Sequence, residues 1–331
     1  MGRPAMARRY PDSPEAQQSR CTPGIQAHSV DTLQAIPYCI GVHLMSQQIT
    51  EAFVQQFADN FMHLAQQSVS RLEPTVSIEP NIVGMSKSIN RLGQRTAQRR
   101  TQRHGDTPIN DQPHSTRFVD LYDWEDGDMV DDQDKIRMLV DPTSEYVKAM
   151  VASLNRAKDD VIISSLGGNS RATTGNIILP ASQKIVVGGT GLTKTKIIQA
   201  KKMFRLNEAD EEAGEELFMV YHAQALNDIL ADTTLTSADF MAAQMLQSGT
   251  LKGKWMGFNW IPSERLPKSG ATRFCYAYAK SGVTLGKGAE IMTKVGEDAS
   301  KGFNVRIYAK MSIGSVRVEE EKVVEIAAND P

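Results

Sequence analysis

The chain has 331 residues and a formal net charge of −2 at pH 7, with 40% hydrophobic and 23% charged residues. This balance is typical of a globular protein of about two domains and argues against a dedicated nucleic-acid binder, which usually has a strongly basic domain. No apolar run approaches the roughly 20 residues that cross a bilayer, and three cysteines do not form a disulfide framework.

Residues 1–45 are rich in proline, glutamine, serine and arginine and have no apolar periodicity. Such a segment is disordered on its own, so we expect an arm that rests on neighbouring molecules. A helix is predicted from Gln47 to about Gln67, because large apolar residues recur every four positions, at Ile49, Phe53, Phe57 and Phe61. This stripe packs on the subunit's own core or on a neighbour, and the sequence leaves both open.

The following segments predict a long hairpin. Thr75–Glu79 alternates between polar and apolar residues and is bracketed by Pro74 and Pro80, which suits an edge strand. Arg117–Tyr122 predicts the returning strand. The polar tip between them is basic and carries Arg95, Arg99, Arg100 and Arg103.

An acidic run follows the hairpin and contains Asp120, Asp123, Glu125, Asp126, Asp128, Asp131, Asp132 and Asp134. Three interpretations stay open: a solvated face, a surface for salt bridges with a partner, and a site for Mg²⁺ or Ca²⁺. The residue order of an EF-hand loop is absent.

The basic tip suggests what the partner of the acidic run would be. A rigid hairpin projects its tip away from its own base, so the tip arginines could meet the acidic run of an adjacent copy. Arginine suits this role because its planar guanidinium binds carboxylates in a bidentate way. The acidic residues expected in this contact are Asp126, Asp128, Asp131, Asp132 and Asp134. Alternatively, the arginines contact the phosphates of a nucleic acid.

A long helix is predicted from Pro142 to about Leu166. Asp141 is a favourable N-cap, Pro142 suits the first helical position, and Gly167-Gly168 ends the helix. About 25 residues at 1.5 Å each give a rod of roughly 37 Å.

The rest of the chain mixes helices and strands, which indicates the α+β class. Helices are predicted from the cap Thr193 to Leu206, over Ala223–Leu230 and over Ser237–Gln247. Strands are predicted over 177–179, 184–187, 216–221, 256–261, 273–279, 291–295, 305–311 and 315–326.

The motifs of common enzyme classes are missing. The sequence contains no phosphate-binding loop, no dinucleotide fingerprint, no nucleophile elbow and no paired-histidine zinc motif. His222 follows a predicted strand and could be a ligand or base, and Cys275 lies in an alternating strand that predicts a core position. We therefore expect neither enzyme activity nor a cofactor or resident metal.

Several runs resemble the capsid proteins of short-tailed phages: Gln48–Phe57, Thr101–Asp111, Asp131–Thr143, Ile313–Glu319 and Val323–Ile326. The first reads Gln-Ile-Thr-Glu-Ala-Phe-Val-Gln-Gln-Phe, and the third begins Asp-Asp-Gln-Asp-Lys-Ile-Arg. Each motif is structural and weakly specific on its own, whereas the occurrence of all of them in the same order is a stronger signal. The resemblance extends from about Gln47 to Ile326 and does not include residues 1–45.

The resemblance implies the capsid fold shared by tailed phages and herpesviruses, the Hong Kong phage-type fold. Pro142–Leu166 would be its spine helix, and Pro74–Tyr122 its extended hairpin loop with the tip at Gln94–His114. The strand pair 177–187 is a rival for the extended loop. The expected division is an N-terminal arm over 1–45, a helix and the extended loop over 46–141, a peripheral domain over 142–189, an axial domain over 190–290, and strands returning to the peripheral domain over 291–331.

The resemblance also implies a function in assembly. Hexamers and pentamers would build an icosahedral head in the host cytoplasm and enclose double-stranded DNA without sequence specificity. Scaffold, portal and a decoration or cement protein would be partners, and no membrane would be involved. A nanocompartment shell of the same fold is the alternative, followed by a metal-dependent enzyme that uses the acidic run over 120–134.

Overall fold

The computed structural model describes residues 66–103, 109–131, 143–231, 251 and 253–331. Its helices are α1 Thr143–Gly167, α2 Lys194–Leu206 and α3 Ala223–Ala231. Its strands are β1 Ser77–Glu79, β2 Ser86–Leu92, β3 His114–Asp120, β4 Tyr122–Val130, β5 Ser170–Ala172, β6 Gly175–Ile177, β7 Lys184–Ile185, β8 Leu217–Tyr221, β9 Lys254–Trp255, β10 Phe258–Pro262, β11 Lys268–Ser269, β12 Thr272–Ala279, β13 Val283–Asp298, β14 Asn304–Arg317 and β15 Val323–Asn329.

Some predictions lie outside these residues. They are the arm over 1–45, nearly all of the helix predicted over Gln47–Gln67, the helix over Ser237–Gln247, and the two acidic residues Asp132 and Asp134.

The described strands form three sheets. A four-stranded sheet has the order β1-β13-β14-β4, and a second four-stranded sheet has the order β2-β3-β5-β6. The largest is a seven-stranded sheet with the order β7-β15-β12-β8-β10-β9, in which β11 pairs with β12. The mixture of long helix and sheets confirms the predicted α+β class.

The long helix predicted from the sequence is α1, which spans 25 residues and ends at Gly167. Its apolar side packs on one face of the β13-β14-β4 sheet. The core between them contains Met150 and Leu154 of α1 and the β14 residues Ile307, Ala309, Met311 and Ile313. Alternate residues of a strand point to one face, so the period-2 pattern of β14 builds this core.

The seven-stranded sheet contains the larger core. Every residue of β8, Leu217–Tyr221, is buried, as expected for a central strand covered on both faces. Phe204 of α2 contacts Phe258 of β10 edge to face, with ring centroids 5.9 Å apart. This core is built by residues distant in the chain, and it fixes α2 and α3 against the sheet.

The single strand predicted over Ser315–Ile326 is interrupted. β14 ends at Arg317, and β15 begins at Val323 in a different sheet. The intervening residues turn because the Val318 amide donates to the Gly282 carbonyl (2.8 Å) and the Val323 amide donates to the Glu320 carbonyl (3.2 Å). β14 therefore packs with α1, whereas β15 belongs to the seven-stranded sheet.

The hairpin also begins later than predicted. β1, from the predicted strand Thr75–Glu79, pairs in parallel with β13 and is not the first strand of the hairpin. β2 takes that place, but its mostly polar sequence gave no strand signal. The rival hairpin over 177–187 is wrong, because β6 pairs with β5 while β7 pairs with β15 in another sheet.

Candidate assembly surfaces

The extended hairpin consists of β2 and β3, which pair antiparallel from Ser86 opposite Asp120 to Leu92 opposite His114. At the far end, the Gly93 amide donates to the Pro113 carbonyl at 2.9 Å. The predicted basic tip thus lies beyond a regular two-stranded ladder.

Asn110 organises the first part of the tip. Its side-chain amide donates to the Thr96 carbonyl (2.9 Å), and its side-chain oxygen accepts from Gln98 Nε2 (3.2 Å). Its backbone carbonyl accepts from Arg95 at 3.1 Å. These contacts hold the two sides of the tip together beyond the end of the strand ladder.

The structure places all four tip arginines at exposed positions. Arg95 bonds to the Asn110 carbonyl, and Arg100 Nε bonds to the Gln102 carbonyl at 3.0 Å. Within the described part of the chain, none of Arg95, Arg99, Arg100 and Arg103 forms an ion pair with a carboxylate. The tip therefore exposes four positive charges.

Most of the acidic run that the structure describes is a strand. β4 pairs with β14 and is the outer strand of its sheet, so its second edge pairs with none of the described strands. Charged side chains on such an edge discourage uncontrolled strand pairing. Asp131 follows the strand.

The ladder divides the acidic side chains between two faces. Asp126 and Asp128 lie opposite Ala309 and Ile307, so they share the face that carries α1. Glu125 lies opposite Lys310 and therefore on the other face. There its Oε2 accepts a hydrogen bond from the Tyr308 hydroxyl at 2.7 Å. The described acidic residues therefore do not converge. Among all described residues, no group of three potential metal ligands is present.

Sequence reasoning missed the buried ion cluster at the base of the hairpin. Glu320, in the turn between β14 and β15, is only 6% exposed. It accepts two bonds from Arg117 Nη2 of β3 (3.0 and 3.1 Å) and one from Arg91 Nη1 of β2 (3.3 Å). Since both hairpin strands bind the same carboxylate, this cluster sets the direction in which the tip points.

A second buried cation joins the end of α1 to its surroundings. Arg317 is 0% exposed. Its Nη1 donates to the carbonyls of Leu166 (2.9 Å) and Gly168 (2.8 Å), and its Nη2 donates to the Ile177 carbonyl (3.1 Å). A positive charge at a helix C-terminus is favourable because the unpaired carbonyls there are partly negative. Burial is the main cause that lowers the pKa of this guanidinium.

Asp159 of α1 fixes the segment that leads into the described fold. This fully buried carboxylate accepts bonds from the Ser70 hydroxyl (2.6 Å) and from the amides of Arg71 (3.1 Å) and Leu72 (3.2 Å). These bonds fix Ser70–Leu72, near the start of the described residues, to α1.

The structure brings His222 and Cys275 together, with His222 Nδ1 and Cys275 Sγ 3.4 Å apart. Both are 0% exposed. Burial raises the pKa of the Cys275 thiol to about 12. Burial, assisted by nearby Arg273, lowers the pKa of His222. The pair is therefore a neutral thiol and a neutral imidazole, and it lacks the thiolate that nucleophilic catalysis requires.

The buried His222 predicts a pH dependence of stability. Its folded pKa lies below the unfolded value of about 6.5, so the unfolded chain binds more protons below that pH. The stabilisation is complete above pH ~6.5 and is lost as the pH falls towards the folded pKa, at up to about 1.4 kcal/mol per pH unit. We expect His222→Asn to flatten this slope in urea unfolding between pH 7 and 5.5. His114→Asn, at an exposed histidine, is the control, and identical slopes for wild type and His222→Asn would contradict the prediction.

None of the described helices is long and apolar enough to span a membrane. The fold itself has solved counterparts. The capsid of the cyanophage P-SCSP1u superimposes with a TM-score of 0.65 at 16% identity, over 86% of this chain and 95% of the other. A structure of Mycobacterium phage Che8 gives 0.64 at 16%, over 82% and 96%. The capsid of a native GTA particle gives 0.62 at 10%, over 90% and 100%.

These likenesses define the class of the protein, which has the Hong Kong phage-type capsid fold. The sequence model of the family described as "Phage capsid protein" matches residues 49–329, and the chain belongs to that family. It is a structural protein of the phage virion. No curated protein matches the chain significantly.

Proposed function

We propose that the chain is the major capsid protein of a tailed phage of the short-tailed type, and that its copies form the hexamers and pentamers of an icosahedral head around double-stranded DNA. Its sequence runs resemble the corresponding protein of a temperate short-tailed phage of Bordetella. A scaffold, a portal and a decoration or cement protein would be its partners. Family membership supports a capsid role, and α1 and the β2–β3 hairpin suit the spine helix and extended loop of the fold.

The observation that carries the proposal is the opposite charge of two exposed surfaces. The hairpin tip presents Arg95, Arg99, Arg100 and Arg103 without a carboxylate partner among the described residues, whereas β4 presents carboxylates on the outer strand of its described sheet. The proposed contact pairs the tip of one copy with β4 and its continuation in the next, through Asp126, Asp128, Asp131, Asp132 and Asp134.

Such a contact is heterologous, since two different surfaces of the same chain meet. Heterologous contacts that close under rotation form rings, which is what hexamers and pentamers require. Each exposed ion pair contributes little alone, about 0.2–1 kcal/mol, but every subunit repeats the contact, and a shell adds many such contacts. The charges of the tip would speed the encounter of two copies and set the register of their contact. The hydrogen-bonded base of the hairpin fixes the direction in which the tip points.

A charge-exchange experiment tests this pairing. Arg99→Glu with Arg100→Glu is expected to raise the protein concentration needed for assembly by about tenfold or more, because attraction becomes repulsion in every contact. Adding Asp126→Arg with Asp128→Arg should restore part of the loss. Assembly is measured by light scattering against protein concentration.

Lys202→Glu, at an exposed position on α2, is the matched control for a change of charge and should assemble like wild type. Normal assembly of the double arginine variant would contradict the pairing. A loss that the reversed aspartates do not relieve would point to nucleic-acid phosphates as the partner of the arginines.

A further inference from the structure

The β13–β14 hairpin ends in a tightly bonded loop. The Asp298 carboxylate accepts from the Ser300 amide (3.0 Å) and hydroxyl (2.6 Å), and the Asp298 carbonyl accepts from the Phe303 amide (3.1 Å). The chain then passes through two consecutive left-handed residues, Gly302 with φ 70° and Phe303 with φ 61°. The loop geometry therefore imposes an unusual backbone conformation on a phenylalanine.

This conformation is unfavourable for Phe303. A left-handed backbone costs an L-residue about 1–2 kcal/mol, and it is exceptional for a bulky one. Glycine adopts it freely, and asparagine tolerates it. Met256 has a similar φ of 50°, but its side chain packs against the main hydrophobic core.

The side chain of Phe303 does not offset this strain within its own subunit. It is 60% exposed and belongs to none of the hydrophobic clusters of the described residues. Strained residues persist where a function requires them, and exposed aromatic residues are the usual anchors of protein interfaces. Phe303 therefore combines an unfavourable backbone conformation with an exposed aromatic ring, and burial of the ring in a contact outside the subunit would offset both.

We propose that Phe303 is an anchor through which the β13–β14 tip contacts a second copy of this chain. The position of the tip favours such a partner, because Arg306, which pairs with Asp298 at 3.7 Å, lies opposite Met129 of β4. Phe303 therefore adjoins the carboxylates of β4, the surface that the proposed function assigns to the arginine tip of the next copy. This inference rests on the proposed function, because it assumes self-assembly.

The test uses two readouts, in which the stability of the subunit should improve while its assembly worsens. In the full-length chain, Phe303→Gly removes both the strain and the anchor. The urea midpoint of the unassembled subunit should therefore rise, while the concentration needed for assembly should increase by about tenfold, the equivalent of 1.4 kcal/mol. Phe303→Tyr retains the ring and should assemble like wild type. Leu206→Asn, which removes a side chain that is 72% exposed on α2, is the control for lost apolar surface and should leave assembly unchanged.

A photo-crosslinking phenylalanine analogue at position 303 identifies the partner. Crosslinks to peptides of this chain, formed in particles and absent from unassembled subunits, would support the inference. Crosslinks only to another protein would overturn it, as would a lowered urea midpoint for Phe303→Gly or its normal assembly. If the wild-type chain itself failed to assemble, the proposed function would fail, and this inference would fail with it. If the wild-type chain and Phe303→Gly both assembled normally, this inference would fail and the proposed function would stand.

Discussion

Replacing Glu320 with glutamine is expected to lower the free energy of unfolding by about 3–5 kcal/mol, because a buried ion cluster loses the buried carboxylate that pairs with Arg117. Arg117 is 4% exposed and donates two bonds to Glu320, so its charge would remain buried and poorly compensated. Urea unfolding of the unassembled subunit measures this change.

The neighbouring glutamates provide matched controls. Glu319 and Glu321 lie 3.8 and 3.9 Å from Arg91, but their side chains are 31% and 57% exposed. Glutamine at either position should change stability by less than about 1 kcal/mol, as is usual for exposed ion pairs. If Glu320→Gln were as mild as these controls, the buried cluster would not hold the hairpin base.

A double replacement tests whether removal of both buried charges destabilises the subunit less than removal of one. Arg117→Met with Glu320→Leu removes both charges, and buried ion pairs can often be replaced by apolar residues without loss of stability. We expect the double variant to be more stable than Glu320→Gln alone. Its hairpin should nevertheless be less well oriented, because Arg91 loses its buried partner and keeps only the more exposed Glu319 and Glu321, and assembly should therefore stay impaired.

Arg317→Met is expected to cost about 3 kcal/mol or more, since several buried carbonyls would lose their donor. The guanidinium contacts the carbonyls of Ser165, Leu166, Gly168 and Ile177, which join the end of α1 to β6. Methionine has a similar length but donates no hydrogen bonds. Urea unfolding of the unassembled subunit, compared with wild type, gives the change.

Arg317→Lys distinguishes charge from geometry. Lysine retains the positive charge at the helix C-terminus but cannot extend two planar sets of donors towards α1 and β6. Its stability should lie between those of wild type and Arg317→Met. A methionine variant as stable as wild type would show that the carbonyls find other donors and that Arg317 is not required at this junction.

Elements with strong local signals could be predicted from the sequence. The boundaries of α1 follow from Asp141-Pro142 at its start and Gly167-Gly168 at its end. β8 follows from a continuous apolar run. By contrast, β2 and β4 carry polar residues on both faces, and their strand conformation comes from the ladders with β3 and β14. No local pattern predicts a strand whose stability comes mainly from its partner.

The candidate surfaces, like the fold, could be predicted only in part from the sequence. The sequence located the basic tip and the acidic run, but it did not show that β4 divides its carboxylates between two faces. The buried clusters were missed because their members are distant in the chain, as with Arg117 and Glu320, which are 203 positions apart. Arg317 did leave a signal, since it continues the inward-facing alternation of Ile307, Ala309, Met311 and Ile313.

The central claim is that copies of this chain associate with one another through their own surfaces to build a shell. The most direct measurement is the particle size of the purified full-length protein by light scattering, with negative-stain electron microscopy of the same sample. Closed shells, tubes or rings of six or five subunits are expected, with a mass many times the 36.5 kDa of one chain. A single species with the mass of one chain at every protein concentration tested would contradict the claim.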